Sequence, residues 1–222
     1  SSIVKYRTRT IRDEWKILYL KISSLKEKGE MQAKFIDDIT KRGQVNIEKK
    51  RESIKQHMLE QQQLQESCVE VLAQIETLNA ELEELKGAGD KLRKLGGMKG
   101  KIQQKITTLS KNHKFFNDNT SCPTCTQDID ETLRQTKLTE LGAEAKTLKT
   151  GYQDLEKAIE DEEAREANFT EVSGNVLELN RKLTSNNTNI ANINKNIGNL
   201  ETEVESIRES IENQDEAKEQ LS

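Results

Sequence analysis

Two cysteines separated by two residues form the clearest chemical motif of the sequence. They are Cys122 and Cys125, and they enclose Pro123, the only proline among 222 residues. Two thiolates at this spacing can bind one metal ion, and zinc takes four ligands in a tetrahedron, with zinc–sulfur distances of about 2.3 Å. The cysteine pair therefore supplies half of a zinc site, and the other two ligands must come from elsewhere.

Other cysteines and histidines in the chain are poor candidates for the missing ligands. Cys68 and His57 lie many residues away, and Cys68 falls in step with an apolar helical stripe, where it serves as a small packing residue. His113 lies nine residues before Cys122, but its spacing from Leu109 and Phe116 favours a role in a helix seam or on its surface.

A second copy of the chain completes the zinc site most simply. Each copy would donate Cys122 and Cys125, so that one zinc ion is shared across a two-fold axis. Pro123 restricts the backbone between the thiols, and nearby N–H groups can donate to the sulfurs. Apolar cover for the ion would come from Phe115, Phe116 and Ile129.

The composition favours an all-α rod over a globular domain. Only 32% of the residues are hydrophobic and 4% are aromatic, whereas 33% are charged. A net charge of −4 argues against a general nucleic-acid-binding surface on this chain. Apolar runs are short and no amino-terminal signal pattern is present, so we expect a cytoplasmic protein without a membrane partner.

Apolar residues in the second half of the chain alternate at steps of three and four, which is typical of a coiled-coil seam. Asn186 interrupts this stripe and is expected to fix the register, while Glu162 and Glu166 replace apolar residues and predict local unwinding at 160–168. The members of the stripe are Val176, Leu179, Leu183, Asn186, Ile190, Ile193, Ile197, Leu200, Val204, Ile207 and Ile211.

The first half carries two such stripes, and the register changes between them at a group of glycines over residues 87–100. Each glycine weakens a helix by up to about 1 kcal/mol relative to alanine, so we expect a flexible joint there. A chain turning between Cys122 and Cys125 places Leu85 opposite Glu162, and the two irregular zones then coincide. The same register predicts these pairs: Ile102 with Ala145, Leu109 with Leu138, and Leu64 with Leu183.

These patterns predict a long antiparallel coiled-coil hairpin with a C-x-x-C zinc-hook tip. The ascending helix covers residues 1–114, the tip 115–129 and the descending helix 130–222. The first 25 residues carry a stripe from Ile11 to Leu25 but have no partner in this register, so we expect the chain to be a piece of a longer protein.

The apex motif resembles that of the zinc-hook ATPases of DNA double-strand-break repair, relatives of the SMC proteins and of bacterial SbcC, and is most similar to their T-even phage members. The family motif is Cys-Pro-x-Cys followed closely by an aliphatic residue, and this sequence has Cys122-Pro123-Thr124-Cys125 and then Ile129. Many members carry glycine where this chain has Thr126. The replacement of glycine by Thr126 therefore affects the expected geometry of the turn but leaves the two metal ligands unchanged.

The resemblance implies a role in zinc-mediated homodimerisation and tethering within a recombination complex. It also implies nucleotide-binding halves that use ATP and Mg at the outer ends of the arms, a partner nuclease, and DNA as substrate. The fragment itself is expected to have no enzymatic activity. Residues 96–102, Gly-Gly-Met-Lys-Gly-Lys-Ile, lack the spacing and the terminal Ser or Thr of a phosphate loop, and favour a helix kink.

Two other functions fit the motif less well. A thiol–disulfide exchange enzyme would use Cys122 as its nucleophile, but that chemistry usually occurs at a helix start in a βαβ fold, which nothing in the pattern predicts. A plain structural coiled-coil tether with an incidental cysteine pair remains open, because long heptad rods serve many unrelated roles.

Overall fold

A computed structural model describes residues 2–220, without the side chains of residues 2–4 and 6. Three α-helices account for most of this part of the chain: α1 spans Ser2–Leu85, α2 spans Ala88–Asp118 and α3 spans Glu131–Glu219. The predicted all-α class is confirmed. Within the described residues, no helix is long and apolar enough to cross a membrane.

The chain divides into two compact units. The first joins residues up to Val69 with those from Thr184 onward, and the second covers Glu70–Leu183. Each unit contains a stretch of α3 packed against helix from the first half of the chain.

Contacts within the first unit join α1 and α3 in opposite chain directions. Lys218 donates to Asp37 at 2.5 Å, and Gln61 donates to Asn194, also at 2.5 Å, so residue numbers rise along α1 as they fall along α3. Asn186 is 8% exposed and donates to Ser67 Oγ at 3.1 Å. Asn186, which was predicted to interrupt the seam, therefore forms a buried polar contact between the two helices.

The amino-terminal part of α1 presents its apolar stripe to solvent. All five stripe residues are more than half exposed, although they continue the three–four spacing of the residues that contact α3 further along. They are Ile11, Trp15, Leu18, Ile22 and Leu25.

The second unit pairs α2 and the end of α1 with α3, again in opposite chain directions. Lys91 contacts Glu162 at 2.5 Å and Lys99 contacts Glu156 at 3.1 Å. Along α2 the predicted register is displaced, because Glu162 contacts Lys91. At the end of α1 the pairing stays within a few residues of the prediction, because Arg165 contacts the Glu84 carbonyl and Asn168 contacts Glu81. Leu109 and Leu155 are buried in this unit.

The joint predicted for residues 87–100 is confined to a short turn at Lys86 and Gly87. From Ala88 onward α2 is continuous, and it includes Gly96, Gly97 and Gly100. Added Cβ atoms at these three glycines would meet open space, so nothing in the packing requires glycine there. Glycine lowers helix propensity without breaking the helix, because the flanking residues maintain the hydrogen-bond ladder.

Candidate metal-binding tip

The tip is a tight turn closed by backbone hydrogen bonds between its two sides. The Cys122 N–H donates to the Gln127 carbonyl and the Ile129 N–H donates to the Thr120 carbonyl, both at 2.8 Å. Ser121 and Asp128 form an isolated antiparallel bridge between these bonds. Cys122 and Cys125 therefore lie on a short hydrogen-bonded hairpin that projects beyond the ends of α2 and α3.

Side chains at the two helix ends hold the base of this turn. Asn119 follows the last residue of α2, and its side-chain amide donates to the Phe115 carbonyl at 2.9 Å. Asp130 precedes α3 and accepts a hydrogen bond from the Leu133 N–H at 2.9 Å, which is the usual N-cap arrangement. Both helix ends thus satisfy backbone groups that have no partner within the helix.

Arg134 connects the two helix ends directly. Its Nη1 donates to the Phe116 carbonyl in the last turn of α2 at 3.1 Å, and its Nε and Nη2 donate to Glu131 at 2.9 Å. Hydrogen bonds from Arg134 and then from Gln135 lower the pKa of Glu131 to about 2. The first turn of α3 is thereby fixed to the last turn of α2 beneath the cysteine loop.

Thr126, directly after the second cysteine, adopts a left-handed backbone conformation with φ +61°. Among the described residues it is the only non-glycine residue with positive φ. Its N–H donates to the Cys122 carbonyl at 2.8 Å, and its hydroxyl donates to the Cys125 carbonyl at 2.7 Å. Glycine adopts this backbone conformation without strain, whereas the β-branched Thr126 adopts it at a steric cost.

The two tip cysteines are free thiols that solvent can reach. Cys125 is exposed and Cys122 is partly exposed. Hydrogen bonds from the backbone N–H groups of Cys125 and then Thr124 lower the pKa of Cys122 below its ordinary value. Amide donors of this kind favour the thiolate, which is the form that binds zinc.

The residues present fit half of a zinc site. The turn offers two thiol donors on one short loop, with N–H groups that stabilise at least one of them as a thiolate. Among the described residues, no group of three or more His, Cys, Asp or Glu side chains converges to hold a metal within one chain. A complete tetrahedral shell would therefore need ligands from a second molecule.

The other sulfur and imidazole candidates lie in helices away from the loop. Cys68 is half-buried, with its Sγ 3.8 Å from Asn187 Oδ1 in the contact between α1 and α3. His113 lies on α2 at an apolar cavity of about 460 Å³, which Leu109 and Leu141 also line. Both residues take the helix-packing or surface roles that their spacing predicted.

Apolar side chains next to the loop are few. The rings of Phe115 and Phe116 meet edge to face with centroids 5.2 Å apart, and both residues are half-buried, as is Ile129. The rest of the loop from Thr120 to Asp128 is almost entirely exposed and polar. The tip therefore presents little apolar surface that a partner could cover.

Sequence reasoning did not identify Asp130 and Arg134 as residues that hold the tip. Asp130 carried a usable signal, because an Asp directly before a helical stretch is a common N-cap. Arg134 carried none, since its partner carbonyl belongs to another helix. In comparisons with protein-family models, curated proteins and solved structures, nothing matches this chain.

Proposed function

We propose that this chain is a zinc-linked dimerisation and tethering element, in which a long antiparallel coiled-coil hairpin presents Cys122 and Cys125 at its tip. The observation that carries the proposal is the hydrogen-bonded turn, which leaves both thiols accessible and stabilises the Cys122 thiolate. Two copies together would provide the four sulfur ligands that a structural zinc ion takes.

The contacts within each unit support the hairpin. In the first unit the pairs Asp37–Lys218 and Gln61–Asn194 run in opposite chain directions, and in the second unit Lys91–Glu162 does so together with Lys99–Glu156. A parallel dimer of unbroken helices would need none of these contacts within one chain.

Zinc binding would supply most of the free energy that joins two tips. Structural zinc in small peptides contributes roughly 10–16 kcal/mol at neutral pH. The half-buried Phe115, Phe116 and Ile129 leave too little apolar surface to overcome the entropy lost when two molecules associate. The metal, rather than side-chain packing, is thus the proposed link.

The wider role rests on the resemblance to the zinc-hook ATPases. We propose that the chain, itself without catalytic activity, belongs to an ATPase that acts with a nuclease on DNA double-strand breaks during repair or recombination. In that setting the homodimer would tether DNA-bound complexes in the cytoplasm, which is the host cytoplasm for a phage protein. ATP and Mg would bind to parts of the protein outside these 222 residues.

Metal analysis combined with solution mass tests the proposal. We expect about 0.5 mol of zinc per mole of chain and a dimer that dissociates in a chelator. Cys125→Ser should abolish both zinc binding and dimerisation, whereas Cys68→Ser, a cysteine variant away from the tip, should leave them intact. Acidification should weaken the dimer together with zinc binding, since protonated thiols are not ligands.

Three results would contradict the proposal. A zinc-free dimer of equal stability would remove the metal as the link, and one zinc ion held by a monomer would remove the shared site. An unchanged oligomeric state in the Cys122→Ser, Cys125→Ser double variant would favour the plain structural tether instead. A reversible two-electron titration of the zinc-free chain would favour thiol–disulfide exchange.

A further inference from the structure

The break between α1 and α2 is a defined turn. Gly87 has φ +84°, a left-handed conformation that glycine adopts without strain, and Ala88 directly after it is only 1% exposed. An added Cβ at Gly89 would come within 3.1 Å of the Glu166 carboxylate, so the first turn of α2 lies close against α3. The structure therefore holds this break in one geometry.

A buried carboxylate on α3 lies opposite the break. The side chain of Glu162 is only 4% exposed, and it accepts hydrogen bonds from Lys91 Nζ at 2.5 Å and from Arg165 Nη1 at 3.1 and 3.2 Å. The hydrogen bond from Lys91, opposed by burial and aided by Arg165, holds the pKa of Glu162 below its ordinary value. Glu162 is therefore charged and paired, as a buried carboxylate must be to avoid a large desolvation penalty.

Arg165 extends this network to the end of α1. Its Nη2 donates to the Glu84 carbonyl at 3.0 Å. Glu84 lies in the last turn of α1, where carbonyl groups lack the amide partners that a continuing helix would provide. The Arg165 guanidinium thus contacts both the end of α1 and the Glu162 carboxylate. Glu162 in turn contacts Lys91 in the first turn of α2.

We propose that Glu162 and Arg165 form an ionic latch that holds the α1–α2 break rigid, and that the break becomes a hinge when the latch is lost. The three contacts connect the last turn of α1, the middle of α3 and the first turn of α2. Gly87 supplies the backbone freedom that bending requires. The latch is independent of zinc, since none of its members lies in the tip.

A second ion pair in the same unit offers a matched control. Lys99 and Glu156 also join α2 to α3, at 3.1 Å, but the Glu156 side chain is 49% exposed and neither residue contacts a helix end. Exposed pairs contribute little to stability, because water solvates either partner when the other is removed. Loss of this pair should therefore leave the break unaffected.

Hydrogen exchange of the full chain tests the latch. Glu162→Gln keeps the size of the side chain but removes its charge. Amides of residues 84–92 should then exchange at least about tenfold faster, because opening of the turn no longer requires the Glu162 carboxylate to part from Lys91 and Arg165. Glu156→Gln should change exchange at any amide by less than about twofold. The helical circular dichroism of both variants should match that of the unmodified chain.

Arg165→Lys provides an independent test that retains the charge of the network. A lysine ammonium cannot span the Glu162 carboxylate and the Glu84 carbonyl with a planar fork, so exchange at 84–92 should again increase. Unchanged exchange at 84–92 in Glu162→Gln would overturn the proposal. An increase in exchange spread evenly over residues 70–183 in Glu162→Gln and Arg165→Lys would also overturn it, since the network would then stabilise the whole unit rather than the break.

Discussion

Replacement of Thr126 by glycine should stabilise the tip in the absence of metal. The left-handed conformation at φ +61° costs an L-residue with a Cβ about 1–2 kcal/mol, and glycine avoids this cost. Glycine in turn loses more chain entropy on ordering, by about 0.5–1 kcal/mol. The exposed hydroxyl contact with the Cys125 carbonyl adds little. The net gain is about 0.5–1 kcal/mol, or a two- to fivefold lower population of the open loop.

Amide exchange in the metal-free, reduced chain measures this gain directly. The Cys122 and Ile129 N–H groups donate across the turn at 2.8 Å, so both should exchange about two- to fivefold more slowly in Thr126→Gly. Thr124→Gly is the matched control, because Thr124 is an exposed loop residue without positive φ. That variant should exchange at least about two- to fivefold faster, because glycine adds its entropy cost and the hydrogen bond between the Thr124 side chain and Cys122 is lost.

Thr126→Ala separates backbone strain from side-chain size. Alanine retains the Cβ that clashes in the left-handed region, so this variant should not slow exchange at Cys122. If Thr126→Gly opened as fast as the unmodified chain, the backbone at residue 126 would not store the proposed strain. If Thr126→Ala stabilised the tip as much as Thr126→Gly, side-chain bulk rather than φ would be the cause.

Three further substitutions test a helix end and the contacts between helices. Asp130→Ala should destabilise the first turn of α3 by about 1 kcal/mol through loss of its N-cap, seen as about fivefold faster exchange of the Leu133 N–H; unchanged exchange there would contradict the capping role. Gly198→Ala should raise the free energy of unfolding by up to about 1 kcal/mol, since its Cβ meets open space. Gly43→Ala should raise the free energy of unfolding by less than Gly198→Ala does, or lower it, because the added Cβ would lie 2.8 Å from Ile211 Cδ1. Equal increases in the free energy of unfolding, measured with denaturant, would show that Ile211 moves aside freely.

The helical segments and the non-helical turn between α2 and α3 could be predicted from the sequence because their signals are local. A single proline between two cysteines marks the non-helical turn, and the three–four spacing marks the helical stripes. The descending helix was predicted from residue 130, and α3 begins at Glu131. Each of these features depends on residues a few positions apart, which is the range over which sequence patterns are informative.

The register between the helices could not be predicted to the same precision. A heptad stripe looks nearly the same after a shift of seven residues, so apolar spacing alone does not select one alignment. Along α2, Lys91 contacts Glu162, which is displaced from the predicted Leu85 by nearly one such repeat, whereas at the end of α1 Glu84 contacts Arg165, within a few residues of the prediction. Glu162 was interpreted as a disruption of the stripe, but its partner is a lysine on another helix that spacing along α3 does not reveal.

The same degeneracy gives the polar contacts within the second unit a physical role. A slip of one heptad would preserve most apolar contacts between α2 and α3 while moving one helix by about 10 Å along the other. It would also leave the buried Glu162 carboxylate without Lys91, at the cost of an unpaired buried charge. Arg134, which binds the Phe116 carbonyl, would lose its partner in the same slip. Alignment of the helix ends beneath Cys122 and Cys125 therefore depends on the hydrogen-bonded turn and on a few specific polar pairs. The apolar stripe stabilises the packing of the two helices but would do so in many alignments.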